Sequence, residues 1–215
     1  MALDKFNLDG QTIQYAVCPA CHYTYKPLFK CGSKMPRYPD TCMNYPSANL
    51  HPNFMCDASL LRDSEPIKTF TYHSFHNYLA GLLTNPNAER VMDAACDNLM
   101  STLSQSPLVT SDVLEAEYLH SFEGPIPNCL FIDRGTEGRY TFSLNVDFFA
   151  AEGKSIYNAT ISCGIISLAC LNLPPNIRYK PEHMFLAGVI PGPKEPLLDQ
   201  LNHYLYSLVD DLDVS

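Results

Sequence analysis

Basic residues are scarce in this sequence, and they form no run. The 215 residues include 14 Lys and Arg against 23 Asp and Glu, which gives a net charge of −9. Residues 1–62 hold six basic and four acidic residues, whereas residues 63–147 hold four and twelve. Non-specific attraction to phosphates is therefore confined to the N-terminal third, and charge alone makes the chain a poor DNA binder.

The sequence also lacks a secretion signal and a long apolar run. Its first ten residues have no basic start followed by an apolar stretch, so we expect an intracellular protein with reduced cysteines. The longest uncharged stretch, at residues 155–177, is interrupted by polar residues and by Pro174 and Pro175. We interpret it as containing a buried strand rather than a membrane span.

Cysteine is abundant, with nine residues, and four of them predict a metal site. The C-x2-C pair Cys18 and Cys21 places two thiolates on one side of a tight turn, which suits tetrahedral zinc. Cys42 and Cys56 would complete four sulfur ligands. Free or buried thiols are the alternative, but a segment that can bury so little core favours a structural zinc. Three side chains compete for the last two ligand positions: Cys31, His22 and His51.

The chain divides by composition into three segments. Residues 12–62 form a cysteine-rich segment that is predicted to bind zinc, residues 63–127 a helical region, and residues 128–215 a region of strands followed by a helix. Apolar residues at 75–83 have helical spacing, and Asn85 is placed to cap a second helix that begins at Pro86. A third, shorter helix is predicted after residue 110 or 111.

The C-terminal segment is expected to hold short strands and one amphipathic helix. Strands are predicted at residues 130–132, 140–149, 161–171 and 184–190. The helix is predicted to start at Pro196, with Leu197 and Leu198 on its apolar face. Three acidic residues crowd its end, which is unfavourable there, so the helix either frays or continues.

Asp147 is the one carboxylate within the apolar run at residues 142–149. We expect a mostly buried strand, where a bare carboxylate is costly unless a cation or metal pairs with it. In two-metal phosphoryl transfer, carboxylates at strand ends hold the two ions, and at least two ligands besides Asp147 are required. On pattern alone, the simpler interpretation of Asp147 is an aspartate at a strand end that caps a loop.

Several strings along the chain resemble one protein family. They are CPACHYTY at residues 18–25, YPDTC at 38–42, YHSFHNYLAGLL at 72–83, FSLNVD at 142–147, NLPP at 172–175, IPGPKEP at 190–196 and LVDDL at 208–212. Together they resemble the CACTA-type (En/Spm-like) DNA transposases, most closely the kind typical of fungal genomes. The resemblance spans residues 17–213.

The resemblance implies an α+β chain that contains part of a ribonuclease-H-like sheet, about three strands plus one helix. Asp147 then corresponds to the first catalytic carboxylate, a ligand of magnesium or manganese in the parent reaction of DNA cleavage and strand transfer. The strand that carries the second carboxylate has no counterpart, so we expect a truncated remnant that is inactive alone.

The resemblance also implies partners and a location. The implied partners are transposon-end DNA and either a second copy or a full-length transposase, and the implied location is the nucleus. The alternative is a non-enzymatic zinc-binding module, retained by the host, that contacts DNA or protein.

Overall fold

The computed structural model describes residues 12–46, 54–103, 110–150 and 162–213, and it is an α+β structure. The strands are β1 Thr12–Val17, β2 Thr24–Tyr25, β3 Leu28–Phe29, β4 Pro36–Arg37, β5 Leu61–Arg62, β6 Glu65–Pro66, β7 Thr69–His73, β8 Phe142–Ala150, β9 Ser162–Cys170 and β10 Phe185–Ile190. The helices are α1 Phe75–Leu83, α2 Pro86–Thr102, α3 Glu117–Ser121 and α4 Leu198–Asp213, with a 3-10 helix at Val113–Glu115. No helix in these described ranges is both long enough and apolar enough to cross a membrane.

Six strands form one sheet in the order β2-β1-β7-β10-β9-β8. The pairs β1–β2, β1–β7 and β7–β10 are antiparallel, with Tyr15 opposite Phe70 and Gly188 opposite Tyr72. Two short ribbons, β3–β4 and β5–β6, lie outside this sheet. Three consecutive strands, β8, β9 and β10, are thus neighbours, as expected for the C-terminal segment.

The chain separates into two compact units. Unit 1 contains Met1–Asn77, Asn145–Ser167 and Leu186–Ser215, and unit 2 contains Tyr78–Leu144 and Leu168–Phe185. These boundaries do not coincide with the predicted divisions at residues 62 and 127. The reason is that β7, from inside the predicted helical region, pairs with β1 from the cysteine-rich segment.

Aromatic side chains dominate the core of unit 1. Phe70, Tyr72 and Tyr204 are at most 2% exposed, and the ring centroids of Phe70 and Tyr204 lie 5.1 Å apart. A Cβ atom on Gly188 would lie 2.5 Å from the Phe70 ring, so this strand position accepts only glycine without rearrangement. The close approach of β10 to β7 therefore depends on a residue that has no side chain.

Asp211 explains part of the acidic crowding at the end of α4. One of its carboxylate oxygens accepts hydrogen bonds from Tyr72 Oη at 2.8 Å, Ser74 Oγ at 3.0 Å and the Phe75 N–H at 2.9 Å. Phe75 is the first residue of α1, where negative charge is favourable. Asp211 is thus unfavourable at the C-terminal end of α4, but it caps the N-terminus of α1.

Unit 2 is built around α2, whose start matches the sequence prediction. The Asn85 side chain accepts hydrogen bonds from the N–H groups of Asn87 and Ala88, and Pro86 is the first helical residue. Met92 on the inner face is fully buried against Cys170 and Leu173. A second apolar cluster contains Leu99 on α2, Leu119 on α3 and Ile132 in the loop after α3. It joins these three segments.

Two residues of the segment at 170–179 hold unit 2 together. The Asn172 amide donates to the carbonyl groups of Met92 and Arg139, both at 3.1 Å, and accepts from the Thr141 N–H at 2.7 Å. Arg178, which is 3% exposed, forms two hydrogen bonds with the Asp112 carboxylate, at 2.9 and 2.6 Å. Its guanidinium is therefore a buried structural group.

Three sequence predictions of secondary structure are wrong. Residues 69–73 form β7 although they were included in the helical region, because alternate side chains pack on the two faces of the sheet. Residues 130–132 form no strand, and only a single bridge joins Leu130 to Glu123. The final helix starts at Leu198 rather than Pro196, and Leu197 and Leu198 are 66% and 84% exposed.

Candidate metal centre

Four cysteine thiols converge in unit 1. The Sγ atoms of Cys18, Cys21, Cys42 and Cys56 all lie within 4.8 Å of one another, and the chain forms no disulfide between them. The Sγ atoms of Cys18 and Cys56 are 3.7 Å apart, and those of Cys21 and Cys42 are 3.5 Å apart. Four sulfurs placed about 2.3 Å from a central zinc in a tetrahedron are separated by about 3.8 Å. The four thiols can therefore hold a metal ion, and their spacing is consistent with structural zinc.

The first two thiols are positioned by the turn that follows β1. The Cys21 N–H points at Cys18 Sγ, 3.4 Å away, and the His22 N–H donates to the Cys18 carbonyl at 3.0 Å. His22 has a left-handed φ of 62°, which reverses the chain so that the Tyr23 carbonyl accepts from the Cys18 N–H. The turn thus directs both thiols to one side, as the C-x2-C spacing predicts.

The other two thiols come from a separate loop that folds back on itself. Cys42 donates its N–H to the Ala58 carbonyl at 2.8 Å, and its own carbonyl accepts from the Asp57 N–H at 2.9 Å. Cys56 donates its N–H to the Asn44 carbonyl at 2.8 Å. These backbone bonds bring two cysteines that are far apart in sequence onto the same side of the site.

The thiols perturb one another strongly. Hydrogen bonds from the Cys21 thiol and the Cys21 N–H to the Cys18 sulfur lower the pKa of Cys18 to about 5. The hydrogen bond between the two thiols raises the pKa of Cys21. Burial raises the pKa of Cys56. Four thiolates this close repel one another, so full ionisation requires a compensating cation. A divalent metal ion supplies that charge when it binds.

Three neutral or cationic groups surround the thiols. Tyr25 Oη lies 3.3 Å from Cys42 Sγ, and the Asn44 amide lies 3.6 Å from Cys21 Sγ. Burial lowers the pKa of Lys68 to about 8, and the nearby Cys18 thiolate partly opposes this shift. Hydrogen bonds from the Tyr25 hydroxyl and the Asn44 amide stabilise metal-bound thiolates. Sequence reasoning missed these residues because only the fold brings them to the cysteines.

The competing ligands lie elsewhere or outside the described residues. His22 Nδ1 is 2.9 Å from Tyr204 Oη and 3.5 Å from Lys68 Nζ, and its burial lowers its pKa to about 4. Cys31 is exposed in the loop between β3 and β4 and does not join the group. His51 lies outside the described residues. The structure therefore brings Cys42 and Cys56, rather than Cys31 or His22, to the C-x2-C pair of Cys18 and Cys21.

Asp147 does not have the buried setting that the sequence predicts. It lies on β8, the last strand in the sheet order, and its side chain is exposed. Its carboxylate accepts a hydrogen bond from the Phe148 N–H at 2.9 Å. The expectation of a mostly buried strand is wrong because β8 has only one described neighbour in the sheet. An exposed carboxylate carries no burial cost, so its position by itself does not require a partner cation.

Among the described residues, the four cysteines are the only group of three or more Cys, His, Asp or Glu side chains close enough to share a metal ion. The chain matches no protein-family model, and no curated protein and no solved structure is significantly similar to it. The four-thiol centre is therefore the clearest chemical feature of the described residues.

Proposed function

We propose that the chain is part of a CACTA-type DNA transposase: a zinc-stabilised N-terminal region joined to the opening strands of a ribonuclease-H-like core. The observation that carries this proposal is the succession β8, β9 and β10 as sheet neighbours, followed by α4. This is the order in which the family's core begins. The strings that resemble the family lie on these same elements, with FSLNVD on β8 and LVDDL on α4.

Structural zinc at Cys18, Cys21, Cys42 and Cys56 is the second element of the proposal. Four thiolates form a soft donor set that selects zinc over the hard ions magnesium and manganese. The site has no open ligand position for substrate, so its role is to hold the loops of unit 1 in place. This supports a stabilising and not a catalytic role for the bound metal.

Asp147 is proposed as the first magnesium or manganese ligand of the parent reaction. Its exposure on β8 leaves the carboxylate accessible to a hydrated divalent ion and to DNA. The two ions of such a site activate a nucleophile and stabilise the leaving oxygen, and they require further carboxylates. We expect the 215-residue chain to bind DNA in the nucleus without cleaving it.

A plasmid-nicking and binding experiment tests this proposal. The chain, its Asp147→Ala variant and the control Asp133→Ala, which removes another exposed aspartate, are incubated with supercoiled plasmid and magnesium or manganese. We expect no nicking by any of the three, together with DNA binding at low salt or co-purification with a full-length CACTA transposase. Nicking that Asp147→Ala alone abolishes would contradict the inactive assignment. Absence of both binding and co-purification would contradict the transposase proposal.

A non-enzymatic zinc-binding interaction module is the second candidate. It is favoured by the finding that the metal-binding group among the described residues consists of sulfur ligands alone. If the chain is such a module, the native chain and the Asp147→Ala variant would bind DNA or a protein partner with the same affinity. Absence of both DNA binding at low salt and association with a full-length relative would contradict this candidate.

A further inference from the structure

A two-stranded ribbon lies in the sequence between Cys21 and Cys42, the second and third thiols of the candidate metal centre. β3 pairs with β4 in antiparallel register, with Leu28 opposite Arg37 and Phe29 opposite Pro36. The turn between them is closed by a hydrogen bond from the Ser33 N–H to the Lys30 carbonyl at 2.9 Å. We call residues 26–37 the basic ribbon.

The basic ribbon concentrates positive charge in an acidic chain. Its four cations are all exposed: Lys26, Lys30, Lys34 and Arg37. No acidic residue occurs between Asp9 and Asp40, whereas the whole chain carries a net charge of −9. A group of cations on one short element, inside a sequence that is otherwise acidic, indicates a polyanionic partner for that element.

Apolar side chains accompany the cations at the solvent surface. Leu28, Phe29 and Met35 are 68%, 59% and 74% exposed. Exposed apolar groups next to cations suit contact with sugars and base edges beside phosphates. The major groove of a DNA duplex, about 12 Å wide, admits a two-stranded β-ribbon. Shape and charge together thus favour a nucleic-acid duplex as the partner.

The base of the ribbon is fixed to the rest of unit 1. Tyr38 Oη donates to the Gln14 carbonyl on β1 at 2.7 Å. Tyr25, which precedes the ribbon, accepts the Met43 N–H at 2.7 Å and lies 3.3 Å from Cys42 Sγ. The thiol centre therefore holds one end of the ribbon and β1 holds the other, and this anchoring lowers the conformational entropy that the ribbon loses on binding.

We propose that the basic ribbon is the nucleic-acid-binding element of this chain, and that it enters the major groove of duplex DNA while its cations contact backbone phosphates. This inference rests on the proposed DNA-binding function and assigns the surface that performs it. It also gives the thiol centre a purpose beyond stability, since the centre orients the ribbon.

Charge-matched variants of the full chain test the inference. The ribbon variant carries Lys30→Gln, Lys34→Gln and Arg37→Gln. The control variant removes three exposed cations elsewhere: Arg90→Gln, Lys180→Gln and Lys194→Gln. Fluorescence anisotropy with a short labelled duplex of mixed sequence gives the affinity at several salt concentrations. Far-UV circular dichroism and zinc content establish that all three proteins are equally folded.

The native chain and the control variant are expected to lose at least about 40-fold in affinity between about 50 and 200 mM salt, the loss for three phosphate contacts. The ribbon variant is expected to bind at least about tenfold more weakly at the lower salt concentration and to lose most of this salt dependence. Equal weakening of both variants, or an unchanged ribbon variant, overturns the inference while DNA binding itself stands. Failure of the native chain to bind the duplex overturns the DNA-binding function as well. Binding to phosphatidylserine vesicles in place of DNA overturns the choice of partner.

Discussion

Replacing Cys42 by Ser is expected to release the metal from the chain and to unfold the ordered loops of unit 1. The apolar cluster around the thiols is small, and its buried members are Cys18, Cys21, Cys42 and Leu60. So little buried surface cannot order these loops by itself. Structural zinc in small domains contributes an apparent 10–16 kcal/mol, roughly, at neutral pH, and this energy is lost with a ligand. This energy is comparable to the whole stability of a typical domain, about 5–15 kcal/mol.

Metal content and thermal unfolding measure this effect. The native protein is expected to contain one zinc per chain. On treatment with a strong chelator, it is expected to lose the zinc and its cooperative thermal unfolding transition. Cys31→Ser is the matched control, because Cys31 is exposed and lies outside the thiol group. A Cys42→Ser protein that keeps its zinc and its unfolding temperature would show that the four thiols are not the site.

Replacing Asp112 by Ala is expected to destabilise unit 2 by about 3–5 kcal/mol, the usual loss when one partner of a buried ion pair is removed. The Arg178 side chain is 4% exposed and the Asp112 side chain 17% exposed. Without the carboxylate, the guanidinium stays buried with a hydrogen bond from Nε to the Leu173 carbonyl. Asp112 also caps the 3-10 helix through the Leu114 N–H, so the same change removes a cap.

Urea unfolding at neutral pH measures the free energy of unfolding for the native chain and for each variant. Asp97→Ala is the control, because the Asp97 side chain is 56% exposed in its pair with Arg134, and ion pairs with an exposed partner contribute little. Equal losses for Asp97→Ala and Asp112→Ala would contradict the assignment of a buried, structural pair.

The pH dependence of the Asp112 contribution has a defined sign. Burial alone would raise the pKa of the Asp112 carboxyl, but hydrogen bonds from Arg178 and from the Leu114 N–H hold it below its ordinary value of 3.8. A carboxyl with a lowered pKa stabilises the folded state at higher pH, and this contribution is lost as the pH falls below 3.8. The difference between native protein and Asp112→Asn should therefore shrink on acidification.

Local signals predicted several elements of the fold correctly. The Asn85-Pro86 pair located the start of α2, because an amide cap and a proline at the first helical position act within a few residues. The near-continuous apolar run predicted β9, and residues 166–170 are all buried. The α+β class follows from such local features alone.

The sheet order could not be predicted, because it depends on contacts between distant segments. Residues 69–73 alternate buried and half-buried side chains, and this period of two was the available signal for β7. The position of β8 at the end of the sheet order left Asp147 exposed, which an apolar run does not indicate. Burial of a strand depends on its neighbours as well as on its own residues.

The metal centre was predictable in part. The C-x2-C pair identified the first two candidate ligands, since the turn that joins them is local. The choice of Cys42 and Cys56 over Cys31 depended on the loop bonds from Cys42 to Ala58 and from Cys56 to Asn44. No local pattern encodes those bonds, so the alternatives stayed open in the sequence. The pairing of Arg178 with Asp112 had no sequence signal for the same reason.

X-ray absorption spectroscopy at the zinc edge, on the native chain purified without added metal, determines which atoms bind the metal. Four sulfur neighbours at about 2.3 Å, with no nitrogen or oxygen ligand, is the result that the four-thiol centre predicts. A zinc with histidine or water ligands, or a folded chain that contains no metal, would contradict it.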